Sequence, residues 1–175
     1  MINNKAGKTN DMDVPQKPFD ADRIIDGVRR NWRQSSESPY PSMVKGTFSC
    51  NLLEFRDVAA VIAGVKPMAM VSLSKFELLP GEEHAYELAR FMIASAREHG
   101  FCVKTFESPY HWWKVLGGEE WFVGSPEAVE RASEAWLRLH KVDYRSETAR
   151  DQHRIIGECL GIPGADVERW ICSLS

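Results

Sequence analysis

What the sequence lacks narrows the reading first. No apolar run approaches the roughly 18 to 20 residues that a bilayer-spanning helix needs, and the opening Met1, Ile2, Asn3, Asn4 and Lys5 lack the apolar stretch of a secretory signal. A cytoplasmic protein with no membrane partner is therefore expected. An excess of one charge is also missing: 22 basic residues face 25 acidic ones, for a net charge of −3. Such a balance offers no global field to drive phosphate binding by counterion release, so nucleic acid would need a local basic patch. Cysteines are few and scattered. Cys50, Cys102, Cys159 and Cys172 fit neither paired zinc-ligand spacing nor a dense disulfide scaffold, and buried, reduced thiols are the expected state.

Motifs that would announce an enzyme are absent as well. Phosphate-cradling Gly-x4-Gly-Lys-Ser/Thr does not occur, nor does a Gly-X-Ser-X-Gly nucleophile elbow. His84, His99, His111, His140 and His153 fall on separate elements, with no pair at metal-binding helical spacing. No metal and no cofactor is expected.

What is there is an ordinary globular composition, 175 residues with 43% hydrophobic and 27% charged side chains, enough for one domain with a core. Residues 1–18 hold too few large apolar side chains to offset the entropy of ordering and read as a disordered arm; 19–175 read as a single domain ending in a helical pair at 146–175. Ile24, Ile25, Val28 and Trp32 recur at helical spacing and predict a helix over 20–33, with Asp20 or Asp22 as its cap. Alternation at 43–53 is poor and gives only a weak strand. A short helix over 57–63 stops at Gly64, and Met68 to Leu73 reads as a buried strand.

The clearest helix spans 81–99, with Gly100 to end it and a strand over 101–106 behind it. Gly117 and Gly118 suit a tight two-residue hairpin turn pairing 112–116 with 119–123. Ser125 and Pro126 then start a helix through His140, Ser146 caps another up to Leu160, and a last helix runs over 164–172. This order implies an α+β fold: a mixed, largely antiparallel sheet with helices over one face and additional helices at both ends. It resembles the ferredoxin-like arrangement, a likeness of topology that implies no function.

The densest chemical feature is the run Ser108, Pro109, Tyr110, His111, Trp112, Trp113, Lys114. Neighbouring residues of an extended chain point to opposite sides, so Trp112 and Trp113 are not expected to share one core. One indole would then remain outside, forming with Tyr110, His111, Lys114 and Trp121 of the facing strand an aromatic surface for a protein partner or a planar ligand. Arg29, Arg30 and Arg33 form a second candidate anchor, for an acidic partner, although Asp22 and Asp26 partly neutralise it.

The expected function is a small binding or regulatory protein acting through 108–121, of the accessory, inhibitor or immunity type found in bacteria and phages. A small-ligand binder or enzyme using Tyr110, His111 and His84 is the alternative. At the C-terminus, Gly157, Gly161, Val167 and Trp170 keep a spacing that resembles the helix-turn-helix family. That resemblance implies DNA binding through the last helix. The side chains there, Asp166 and Glu168 with Arg169 the single cation, repel phosphate, so nucleic acid is disfavoured as a partner.

Overall fold

A computed structural model of the chain describes residues 19–32, 54–73, 82–107 and 118–173. The expected arm at 1–18, the weak strand at 43–53 and the segment 108–117 lie outside the described residues. Local chemistry accounts for most of the helices. In α1 (Ala21–Asn31) the carboxylate of Asp20 accepts the Arg23 amide at 3.1 Å, a free donor of the first turn. Its buried side, Ile25 and Val28, rests on α2 (Glu54–Ile62), where Val58, Ala59, Ala60 and Val61 are all buried. Four consecutive buried positions show that the second half of α2 is enclosed, while Arg56 in its first turn stays exposed. It and α3 (Glu82–Glu98) stop beside Gly64 and Gly100, both at positive φ.

Among the described residues three strands form the sheet: β1 (Met68–Leu73), β2 (Cys102–Glu107) and β3 (Glu119–Gly124), in the order β1-β3-β2. Every neighbouring pair is antiparallel, with Val71 and Thr105 both opposite Trp121. β1 and β2 are consequently parallel to each other but separated by β3. The class is α+β. Among the described residues no fourth strand flanks β1, and the ferredoxin-like order requires one.

Two expectations are corrected here. β3 is filled on both edges along its whole length, Glu119 lying opposite both Leu73 and Glu107, so its partners are β1 and β2 and not the expected 112–116, a stretch outside the described residues. Helices also cover both faces of the sheet rather than one. Ala69, Val71, Leu73, Trp121 and Val123 point toward α1, α2 and α3. Met68 and Phe122, the alternate residues, point toward α4 (Pro126–Leu139) and α5 (Glu147–Cys159), whose Ala132, Trp136 and Ile156 complete a second core. Burying a side chain such as Phe122 or Leu73 contributes about 1.5–3 kcal/mol each, so both layers are needed to hold so thin a sheet.

Ser125 and Ser146 start α4 and α5 by accepting the amides of Ala128 and Ala149, each at 3.2 Å. The last described element is α6 (Gly164–Ser173), joined to α5 through Gly161 at φ +71°.

Candidate functional site

Of the residues singled out in the sequence, Arg33, Tyr110, His111, Trp112, Trp113 and Lys114 lie outside the described residues. Their attachment is described. The register pairs Glu107 with Glu119, so both ends of the 108–118 connection leave the same end of the sheet from adjacent strands.

Trp121 is placed differently from expectation, being only 6% exposed and part of the core under α3. Arg90 and Arg97, two turns apart on α3, hold their guanidinium carbons 5.0 and 5.5 Å from its ring centroid. Glu119 ties the group together. One of its carboxylate oxygens accepts from Arg90 at 3.0 Å and from the indole Nε1 of Trp121 at 3.1 Å. The Tyr86 hydroxyl is pushed above its ordinary value, first by burial and then by the charge of Glu119, with Arg90 opposing. Two cations and one carboxylate thus cover the indole. Trp121 belongs to the core beneath α3 and not to an exposed surface.

On the other face of the same sheet end, Glu120 is buried, at 4% exposure, and its carboxylate accepts the Ser72 hydroxyl across the β1–β3 pair at 2.5 Å. Composition gave no signal for this group. Glu120 became conspicuous only when the register turned it inward.

Arg29 and Arg30 are exposed on α1, and Arg29 is ion-paired with Asp26 at 2.9 Å on an open surface where such pairs contribute little. His84 is exposed on the first turn of α3 and its ring meets Phe19 edge to face, 5.2 Å between centroids. Among the thiols, Cys159 is buried, Cys102 half-buried and Cys172 exposed, the last a departure from the expected burial. Burial raises the Cys159 thiol above its ordinary value, with Arg131 opposing, which leaves it a poor nucleophile at neutral pH. No group of three metal-ligating side chains converges among the described residues, and no helix among them is long and apolar enough to cross a membrane.

The helix-turn-helix spacing at the C-terminus corresponds to a close helical pair. A Cβ at Gly157 would lie 2.5 Å from Cγ2 of Val167, so only glycine admits that approach, and Gly161 supplies the left-handed turn between the helices. The charges on this pair are spent on one another. Arg154 donates to Glu147 at 2.9 Å, Asp151 at 2.8 Å and Glu168 at 2.7 Å, and Arg169 is paired with Asp166. Those carboxylates hold the Arg154 guanidinium further into its charged range. A cation so engaged is poorly placed to neutralise phosphate.

Two further histidines, not chosen from the sequence, lie at the joint of the C-terminal helices. His140 rests on Trp136 and His153 on Trp170, at 4.4 and 4.2 Å between centroids. No protein-family model matches the chain, and neither does any curated protein or solved structure.

Proposed function

We propose that this chain is a binding module that engages a protein partner through the aromatic segment joining β2 to β3. The observation that carries the reading is the attachment of that segment. Tyr110, His111, Trp112, Trp113 and Lys114 stand on a connection whose two ends are held by the Glu107–Glu119 pair, in a sheet packed on both faces. Recognition segments gain affinity when a rigid scaffold anchors them, because less of the contact energy goes to ordering the ends. Indole and phenol rings provide large contact area at a small cost in rotamer freedom. The packing around Trp121 and the Ser72–Glu120 contact stiffen that scaffold from its two faces. Arg30, exposed on α1, is the second proposed contact, suited to an acidic group on the partner.

Site-specific photo-crosslinking in the native host tests this. A benzoylphenylalanine in place of Tyr110 or Trp113 should form a discrete adduct with one protein. The same group in place of Tyr144, 54% exposed on the connection between α4 and α5, should not. Absence of an adduct at both aromatic positions, or equal labelling at Tyr144, refutes the proposal.

A further inference from the structure

The sheet has two edge strands, and their surroundings differ. In β1, Met68, Ala69, Val71 and Leu73 are fully buried. In β2 no described side chain is: Cys102, Val103, Lys104 and Phe106 are half-buried and Thr105 is exposed. The strand is also regular, pairing with β3 residue for residue from Cys102 opposite Gly124 to Glu107 opposite Glu119, without a bulge. Among the described residues nothing pairs with its other side. Open edges are commonly guarded by a proline, a bulge or a free lysine. β2 has no proline, and its one lysine is drawn away, Lys104 Nζ being bound to the carboxylate of Glu130 on α4.

Helix α3 brings cations to this edge. It packs on β2 while α2 packs on β1. On one side of α3, His84 and Phe91 both meet the ring of Phe19 at the entry to α1. On the other side, Arg90 and Arg97 cover Trp121, which stands directly opposite Thr105 of β2. Arg90 is neutralised by Glu119 at 3.0 Å. Arg97 is exposed and, among the described residues, ion-paired with no carboxylate, the adjacent Glu98 included. The opposite face of β2 is apolar at Phe106, whose ring lies 5.1 Å from that of Phe122 between centroids.

We propose that the open edge of β2 receives an extended segment of a partner protein by strand addition, a segment whose acidic residues face Arg97 and whose alternate, apolar residues face Phe106.

An added strand presents its side chains to the two faces in turn, so the guanidinium on one face and the phenyl ring on the other select acidic and apolar residues alternately. Main-chain hydrogen bonds to the edge supply affinity, and the charge supplies the choice of partner. Stacking on the indole holds Arg97 in place beforehand, which reduces the freedom lost on binding. A second copy of this chain fits less well, because antiparallel pairing of β2 with itself would set Arg97 of both copies on the same face. Binding at this edge requires no contact by Trp112 or Trp113.

Selection of random linear peptides, displayed on phage, against the full chain tests the proposal. Enriched peptides should carry Asp or Glu at every second position between apolar residues. With the tightest of them bound, alternate amides of β2 should gain about tenfold protection from exchange while those of β1 stay unchanged. Arg97→Glu should weaken that peptide about tenfold and favour its counterpart with lysine in place of the acids, whereas Arg97→Lys should remain within about twofold of wild type. If Arg97→Glu does not fold, salt replaces it: wild-type binding should weaken about fivefold between ~50 mM and ~0.5 M NaCl. The proposal is overturned if no peptide is enriched, if the enriched peptides lack the acidic alternation, or if protection falls on β1 or α1 instead. Affinity indifferent to both Arg97→Glu and salt overturns it too, as does a free chain whose β2 amides are all slow already, whether it sediments as a monomer or as a dimer.

Discussion

Alanine at position 157 would set two well-characterised effects against each other, and the structure determines which prevails. Glycine inside a helix costs about 0.5–1 kcal/mol relative to alanine, so propensity alone predicts that Gly157→Ala stabilises α5. The added methyl, however, would sit 2.5 Å from Cγ2 and 3.2 Å from Cγ1 of Val167. Valine in a helix is nearly confined to one χ1 rotamer, so Val167 cannot swing aside and α6 must move instead. Overpacking of this kind costs about 1–3 kcal/mol. The net expectation is a loss of about 1–2 kcal/mol, or about 2–8 °C in Tm for a chain of this size, measured by urea and thermal unfolding at pH 7. Val167→Ala alone should cost about 2 kcal/mol through the cavity it leaves. Together the two changes should be less harmful than their sum by about 1 kcal/mol or more, because the new methyl fills the space the valine vacates. A Gly157→Ala protein as stable as wild type, or a strictly additive pair, would refute the claim that this glycine exists to admit Val167.

Three further outcomes are expected. Gly124→Ala at the end of β3 should lower stability by about 2 kcal/mol in a denaturant melt, because its Cβ would lie 2.8 Å from the Pro67 carbonyl oxygen, a backbone atom with little room to retreat. An unchanged midpoint would show that the β1–β3 end is looser than described. Ser125→Ala should cost about 1 kcal/mol through the lost N-cap of α4, and Ser125→Asp should restore most of it. In a mobility-shift assay with random duplex DNA, the chain should give no salt-sensitive retardation even at low ionic strength, since Arg154 and Arg169 are already engaged by carboxylates. Salt-dependent binding would overturn that charge argument.

Much of the architecture was legible in the sequence because its signals are local. A strand over Met68 to Leu73 needs only an apolar run, and the starts of α4 and α5 need only Ser125 with Pro126, and Ser146, to satisfy free amides. Gly157 and Gly161 also disclosed a close helical turn through spacing alone, and the acidic side chains around Arg169 already argued against phosphate.

Partner choice within the sheet was decided elsewhere. A pair of glycines favours a tight hairpin at Gly117 and Gly118, but the neighbours of β3 are β1 and β2, separated from it by up to several tens of residues, and no local preference encodes such contacts. The same pairing turned Trp121 under Arg90 and Arg97 and buried Glu120 beside Ser72. His140 and His153 looked unrelated along the chain, and the packing of the C-terminal helices left each half-buried against an indole, Trp136 for His140 and Trp170 for His153. Periodicity and capping act over one or two turns and by themselves determine which segments become helix or strand. Which faces meet, and which titratable groups lose their water, depends on contacts distant in sequence, and those only the tertiary structure settles.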